Sequence, residues 1–326
     1  MRPGHLAKTR TRRLTVAAML LAVGIILPFA TAHGMGIPGT VLLPMHIPVF
    51  LCGFLCGPSY GATCGFILPV LNSVLTGMPA VYPMMPIMAC ELLTYGLASG
   101  LLAHKTPLGR RRIGIYASLV ISMIAGRAAY GLVFWVLLLA GGELKALSVI
   151  GAVTTGMPGI VVQLLFIPAL IFTLESFASK ERADAKTKAM ELVLSGRASC
   201  VVVRDGEIVF TSLERGIGPI VSAYEAGLLS GATVVDKVVG RAAAMIMALG
   251  EVSSCYGATV SRGALEYMGA CRICCEYGTL AEKIINRAGD GPCPMEDAVR
   301  DVSSPEEALI AVKAKIRELR AKNNRH

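Results

Sequence analysis

Long apolar stretches separated by short turns dominate the first 178 residues. The stretch from Val41 to Gly100 contains a single formal charge, Glu91, and is interrupted only at Gly57-Pro58-Ser59 and Thr76-Gly77-Met78-Pro79. A helix that crosses a bilayer needs about 20 mainly apolar residues, and the pieces between these turns approach that length. The pattern therefore predicts a helical membrane bundle with six transmembrane helices. The predicted spans are 14–32, 40–56, 60–76, 82–103, 113–140 and 147–176.

A different pattern begins near Met190. Two short runs rich in β-branched residues, 198–204 and 207–212, are joined by Asp205-Gly206, which predicts a β-hairpin. Further predicted elements are helices at 218–227, 239–249, 262–268 and 306–321 and strands at 252–260 and 272–277. Strands that alternate with helices predict a small soluble α/β domain. The predicted organisation is a membrane domain at 1–178, a charged linker at 179–189 and a soluble domain at 190–326.

Basic residues are distributed unevenly. Residues 1–178 hold 11 Lys/Arg and three acids, and residues 179–326 hold the remaining 20 Lys/Arg and 19 acids. Nine of the first 11 basic residues lie in the clusters Arg2–Arg13 and Lys105–Arg112, which flank apolar stretches. The positive-inside rule places both clusters in the cytoplasm. With six crossings, both termini and residues 179–326 are then cytoplasmic, and the net charge of +9 does not indicate nucleic-acid binding.

Five polar residues within the predicted spans are candidates for substrate binding. They are His46, Asn72, Glu91, Arg127 and Gln163. Ionisable groups are costly at membrane depth and usually mark a site that faces the protein interior. Glu91 and Arg127 lie about equally far from the outer ends of adjacent antiparallel spans, so we expect them at similar depth. Two interpretations stay open: the pair only joins two helices, or the five residues line a cavity open to the outside.

The chain provides no visible means of using ATP. It has no Walker A motif and no Gly-Lys dipeptide, so ATP-driven uptake would need a separate ATPase subunit. In the first span, Ala18 and Ala22 form a small-xxx-small pattern, which allows close approach of another helix.

The N-terminal residues resemble the substrate-binding (S) component of energy-coupling-factor vitamin transporters. The resemblance rests on the six spans, on AMLLA in the first span, and on the run LPMHIPVFLCGFLCGPSYGATCGF…LTGMP…PMMPIMACELLTYGLASGLL. It implies a membrane protein that binds a vitamin or vitamin precursor near the extracellular side. It also implies docking through Ala18 and Ala22 on a transmembrane coupling subunit that carries two ATPases. Pantothenate, folate and a cobalamin precursor such as α-ribazole all stay open as ligands.

The C-terminal residues resemble a small uncharacterised family with a three-layer, cytidine-deaminase-like fold. The matching stretches are VVRDGEIVFTS, GATVVDKVVGRAAA and NRAGDGPCPMEDAV. Zinc deaminases need a His/Cys-x-Glu motif and a Pro-Cys-x-x-Cys motif, which supply three metal ligands and a proton-transferring Glu. Here Val239-Gly240-Arg241-Ala242 stands where the first motif is expected, and Cys271-x-x-Cys274 is predicted to lie inside a strand.

We therefore expect no catalytic residue, metal or cofactor in this domain, and a ligand-binding or regulatory role instead. Its polar candidates are Asp236, Lys237, Arg241 and Cys293. The alternative is a membrane-anchored enzyme with nucleoside or base deaminase-like activity in residues 190–326.

Overall fold

The computed structural model describes residues 9–31, 39–140, 151, 154–286, 289 and 291–323. Predictions that concern other residues lie outside this description, among them the start of the first basic cluster and most of two predicted outer loops, 34–39 and 141–145. The chain divides into two units, Met1–Ser176 and Phe177–His326, and the division falls within one long helix.

The described residues of the first unit are mainly helical. The helices are α1 (Arg10–Phe29), α2 (Gly39–Leu42), α3 (His46–Cys56), α4 (Pro58–Thr76), α5 (Met84–Lys105), α6 (Arg112–Leu139) and the first part of α7 (Met157–Leu194), with a 3₁₀ helix (Pro107–Arg110) between α5 and α6. Within the described ranges, α1, α5, α6 and α7 are long and apolar enough to cross a membrane. Four candidate spans therefore stand where the sequence predicts six.

The predicted span at 40–56 is wrong as a single helix. Leu43 has a φ of 50°, and Pro44 both lacks an N–H group and disfavours helical geometry at the residue before it. The chain therefore breaks after α2, and α3 starts at His46. With 11 residues, α3 is about 16 Å long, well short of a hydrocarbon layer of about 30 Å.

The helices α4 and α5 approach each other through glycine. A Cβ atom on Gly61 would lie 2.5 Å from the carbonyl oxygen of Gly96, so the two backbones meet where any larger residue would collide. At the end of α5, the imidazole Nε2 of His104 bonds the carbonyl oxygen of Phe54 at 2.9 Å and links α5 to α3. These contacts hold α3, α4 and α5 together and set the position of Glu91 on α5.

The second unit combines the rest of α7 with a mixed sheet and further helices. The strands are β1 (Cys200–Arg204), β2 (Glu207–Ser212), β3 (Thr233–Val239), β4 (Ser254–Ser261) and β5 (Cys274–Ala281). The helices are α8 (Gly218–Glu225), α9 (Arg241–Leu249), α10 (Arg262–Ala270), α11 (Pro294–Ala298) and α12 (Pro305–Asn323). The strand order is β2-β1-β3-β4-β5; β1 is antiparallel to β2 and β3, whereas β3, β4 and β5 are parallel.

The predicted hairpin is confirmed. Arg204 pairs with Glu207, and Asp205 and Gly206 between them have φ values of 55° and 90°. Two consecutive positive φ angles are the signature of a type I′ turn, for which Asp-Gly is a favoured sequence.

Helices cover both faces of the sheet. On one face, α8, α9, α10 and α12 pack over a core that includes Val202, Val234 and Ile246. On the other face, Ala189 and Val193 near the end of α7 pack against Val235 of β3. Residues 179–189, expected to form a charged linker, lie inside α7 and contribute to this contact through Ala185 and Ala189.

Two predictions in this unit need correction. The strand β3 was not predicted, and the helix expected from residue 239 begins only at Arg241 because Val239 still belongs to β3. Cys271 does not lie inside a strand. It ends α10, Arg272 follows with a φ of 59°, and the N–H of Ile273 still donates to the carbonyl of Met268 in the closing turn.

Candidate functional site

An ion pair between a buried carboxylate and a partly exposed guanidinium joins α5 and α6. The carboxylate of Glu91 is 2% exposed, and its Oε1 lies 3.0 Å from Nη1 of Arg127. The hydroxyl of Tyr95 donates to the same oxygen at 2.8 Å. His46, also 2% exposed, brings its Nε2 to 3.9 Å from this oxygen. Three of the predicted site residues, Glu91, Arg127 and His46, therefore meet around one carboxylate oxygen, and we call these three residues and Tyr95 the Glu91 cluster.

Several buried polar atoms in the Glu91 cluster have no hydrogen-bond partner among the described residues. These are Nη2 of Arg127 and both ring nitrogens of His46. Aromatic rings lie next to these atoms. The ring of Tyr95 lies 5.3 Å from that of His46 and 4.7 Å from that of Phe50. The Arg127 guanidinium lies 6.0 Å from the ring of Tyr130. Buried polar groups in folded proteins are nearly always hydrogen-bonded, so this cluster has capacity for a further polar partner.

Local sequence explains the assembly of the cluster. Glu91 and Tyr95 are four residues apart, which places them on one face of α5. A Cβ on Gly126 would collide with the ring of Tyr95, so glycine at that position lets α6 pack against this face with Arg127 next to it. Sequence reasoning missed Tyr95, although its spacing from Glu91 in the stretch ELLTY was a usable signal.

The two buried amides have different surroundings. The Nε2 group of Gln163 donates to the carbonyl oxygen of Leu43 at 3.3 Å, and the same oxygen accepts the backbone N–H of His46 at 3.1 Å. Gln163 thus supports the turn that presents His46. Asn72 instead donates to the carbonyls of Gly24 and Leu68, at 3.3 and 3.1 Å, and joins α4 to α1. The described partners of Asn72 are not members of the Glu91 cluster.

The small residues of α1 lie on an open surface of the first unit. Ala18 and Ala22 are exposed, and so are the neighbouring large apolar residues Met19 and Ile26. Only 6% of the apolar window of α1 is buried within the structure. This face is therefore available to lipid or to another helix.

Comparisons with known families assign both units. Residues 12–171 match the family described as "ECF transporter, substrate-specific component", and residues 188–316 match TM1506, described as "Domain of unknown function (DUF1893)".

Residues 12–171 are an ECF transporter substrate-specific component, fused to a DUF1893 domain at residues 188–316.

These matches confirm the family resemblance inferred from the sequence for each unit: an ECF substrate-specific component first, and a family of unknown function after it. As a substrate-specific component, the chain is a multi-pass membrane protein and a transporter subunit that works with an energy-coupling module and a substrate. Among solved structures, a DUF1893 family protein (TM1506) from Thermotoga maritima matches with 25% identity and a TM-score of 0.38, over 40% of this chain and 90% of that chain. No curated protein matches the chain.

Asp236 and Lys237 of the DUF1893 domain have opposite environments. Asp236 is buried in β3, pairs in register with Cys200 and Gly257, and accepts the N–H of Val238 at 3.3 Å. Burial raises the pKa of Asp236 to about 7, against the opposing effect of the backbone N–H groups of Val238 and Lys237. The side chain of Lys237 is exposed. Neither residue caps a helix, because both lie within β3.

Arg241 and Cys293 are tied to chain segments that follow the sheet. Arg241 donates to the carbonyl oxygens of Arg300 at 3.3 Å and Val302 at 3.0 Å, which fastens the segment before α12. Cys293 is half-buried at the start of α11, and its N–H donates to the carbonyl of Ile284 at 3.0 Å. The hydrogen bonds of Asp236, Arg241 and Cys293 therefore go to different parts of the DUF1893 domain.

The side chain of Glu296, on α11, faces the start of α9. Sequence reasoning missed this residue. A Cβ on Gly240 would collide with its Oε1. Burial raises the pKa of Glu296, while the backbone N–H groups of Arg241 and Ala242 favour its charged form. A carboxylate of the chain itself thus lies against the backbone N–H groups at the start of α9. In the part of the chain that the structure describes, no three His, Cys, Asp or Glu residues are grouped as metal ligands.

Proposed function

We propose that the substrate-specific component binds a vitamin or vitamin precursor at the Glu91 cluster. The observation that carries the proposal is the set of unpartnered buried nitrogen atoms beside the ion pair of Glu91 and Arg127. A pair that only joined α5 to α6 would need Glu91 and Arg127 but not the buried ring of His46. Each unsatisfied buried donor costs about 1–3 kcal/mol, and a bound polar ligand would remove that cost.

The test identifies the ligand and its site together. Small molecules that co-purify with the full-length protein in detergent are identified by mass spectrometry, from wild type and from Arg127→Met. We expect a compound that wild type retains and that Arg127→Met loses, when the amount retained is expressed per amount of folded protein. Equal retention by both proteins would place the ligand elsewhere.

We further propose that uptake is driven by two ATPases of a separate coupling module, which docks on α1 through Ala18 and Ala22. Small residues allow close approach of another helix backbone, and both alanines are exposed. Trp at both positions should abolish ATP-dependent uptake in reconstituted vesicles and leave ligand binding intact. Full uptake by the double Trp variant would rule out this face, and uptake driven by an ion gradient without the module would rule out the coupling mechanism.

We propose six crossings with both termini in the cytoplasm: the four candidate spans, the broken segment α2–α3 and the helix α4. This topology is supported by the basic cluster Lys105–Arg112 at the end of α5 and by the charged residues of α7 that follow its apolar part. A single cysteine at Lys105 or at Gly142, in a background without reactive native thiols, tests it. An impermeant reagent added outside should modify position 142 only; modification of position 105 alone would invert the topology.

For the DUF1893 domain we propose a three-layer, cytidine-deaminase-like fold in a non-catalytic, ligand-binding or regulatory role. The supporting observation is that Arg241 and Glu296 occupy the start of α9, and Arg241 fastens a neighbouring segment of the chain. The purified full chain should release no ammonia from cytidine, adenosine or their bases, with or without added Zn²⁺. Turnover that depends on Glu296 would favour the enzyme alternative.

A further inference from the structure

The Glu91 cluster is electrically balanced before any ligand enters. Glu91 carries one negative charge and Arg127 one positive charge, and they are 3.0 Å apart. Among the described residues of the first unit, Glu91 is the one fully buried carboxylate. With a neutral His46, the net charge of the cluster is zero. A charge brought into this environment would have no counter-charge to meet it.

The hydrogen-bonding groups left open in the cluster define what it can accept. Nη2 of Arg127 offers donors only, because a guanidinium has no acceptor. A neutral imidazole offers one donor and one acceptor, and both ring nitrogens of His46 are open. The complementary ligand group presents an acceptor to Arg127 and both an acceptor and a donor toward His46.

We infer, on the basis of the proposed substrate site, that the ligand group at the Glu91 cluster is uncharged and planar, with adjacent acceptor and donor atoms, as in an amide or the lactam edge of a heterocycle. A carboxylate is the other group that Arg commonly binds. Here it would compete with Glu91 for one guanidinium and bring two anions together, unless His46 gained a proton.

Aromatic side chains next to the open donors support a planar group. Tyr95 contacts the rings of both His46 and Phe50, and Tyr130 lies below the Arg127 guanidinium. Tyr130 and Phe134, which are 4% and 5% exposed, are nearly parallel, with an interplanar angle of 8°. Flat rings pack well against such faces.

The test uses matched pairs of probes that differ in charge. The pairs are nicotinamide and nicotinate, pantothenol and pantothenate, biotinamide and biotin, and α-ribazole and its phosphate. Binding to the full-length protein in detergent is measured by calorimetry for wild type, Glu91→Gln, Arg127→Met and the double variant, which removes both charges and controls for folding. We expect at least one uncharged probe to bind wild type more tightly than its anionic partner, by about tenfold or more.

The variant Glu91→Gln tests whether the charge of Glu91 causes the preference for the uncharged probe. It removes the negative charge and leaves Arg127 unpaired, so the preference for the uncharged probe should shrink or reverse. A wild-type preference for the anionic member that depends on Arg127, or no Arg127-dependent binding by any uncharged probe, would overturn the inference. Probe binding that is equal in wild type and in the double variant would instead show that the proposed site is wrong.

Discussion

Among the described residues, each unit of this chain has one fully buried carboxylate, and the two have different surroundings. Glu91 in the membrane unit lies beside a guanidinium and receives a hydrogen bond from Tyr95. Asp236 in the DUF1893 domain has no ion-pair partner within the described residues, and its Oδ1 accepts the N–H of Val238 at 3.3 Å. The charge of Glu91 is therefore balanced by Arg127. Burial of Asp236 instead raises its pKa to about 7 and favours the protonated form.

The difference indicates two kinds of buried polar group. A carboxylate that retains its charge needs a partner of fixed geometry, and that partner can also bind a ligand. A buried carboxyl group that is protonated needs only a hydrogen-bond partner nearby. The free-energy cost of burying its charged form then appears as a dependence of folding stability on pH. The first arrangement suits a binding site, and the second makes part of the sheet sensitive to pH.

The largest expected effect comes from breaking the pair. Arg127→Met leaves Glu91 buried without its counter-charge, which typically costs about 3–5 kcal/mol. Folded yield from detergent should fall strongly, and adding Glu91→Gln should restore the yield but not ligand binding.

Ser122→Ala is the matched control for Arg127→Met. Ser122 is buried in α6, and its hydroxyl donates to the carbonyl of Ser118 one turn earlier at 2.7 Å. Its replacement should leave both yield and binding near wild type. If the double variant recovers binding as well as yield, the ion pair serves to join helices and is not part of a site.

An intermediate effect is expected from Asp236→Asn. Only well below pH 3.8 is Asp236 protonated in both the folded and the unfolded chain. As pH rises from 3.8 toward 7, the unfolded chain loses the proton first, so the free energy of unfolding of the wild-type domain falls and then levels off. The Asn variant lacks this loss and should be more stable near pH 8, by a few kcal/mol at most, with an advantage that disappears as pH falls below about 3.

The effect of Asp236→Asn can be measured locally in the full chain. Cys200 and Cys255 are buried in the same core, so urea unfolding of the DUF1893 domain is followed by mass spectrometry of their labelled peptides. Glu282→Gln, at an exposed ion pair with Arg262, is the control. Equal pH dependence of unfolding in wild type and Asp236→Asn would contradict the contrast drawn between the two carboxylates.

The smallest effect separates two buried amides of the membrane unit. Gln163→Leu removes one donor from the Leu43 carbonyl and loosens the turn that carries His46, so we expect ligand affinity to fall by about fivefold, near 1 kcal/mol. Asn72→Leu removes the link between α4 and α1 and should lower thermal stability with little change in affinity. Calorimetry and thermal unfolding of both variants measure the two quantities, and a larger loss of affinity in Asn72→Leu would reverse these roles.

The sequence predicted the membrane helices well where hydrophobicity alone decides. The similar depth of Glu91 and Arg127 followed from counting residues along adjacent helices, and the structure brings the two together. The break before α3 was missed because an apolar run hides it, although Pro44 was a visible signal. The approach of His46 depends on that break and on the carbonyl of Leu43, so periodicity could not predict it.

In the DUF1893 domain, local signals worked and long-range contacts did not. Asp205-Gly206 predicted its turn because two residues determine that geometry. The strand β3 was missed because it leads almost directly into α9, with only Gly240 between them. Glu296 lies more than fifty residues from the helix start it faces, and no local pattern connects the two.

The glycine contact between α4 and α5 has a consequence for changing the specificity of this protein. Because Gly61 and Gly96 bring the two backbones together, neither helix can slide or rotate to suit a new substrate without a collision. The face of α5 that carries Glu91 is thus fixed in position. Selection for a different cargo would have to act on the opposing surfaces, α6 with Arg127 and the turn before α3 with His46. A library randomised on those two surfaces should yield altered transporters far more often than one randomised along α4 and α5.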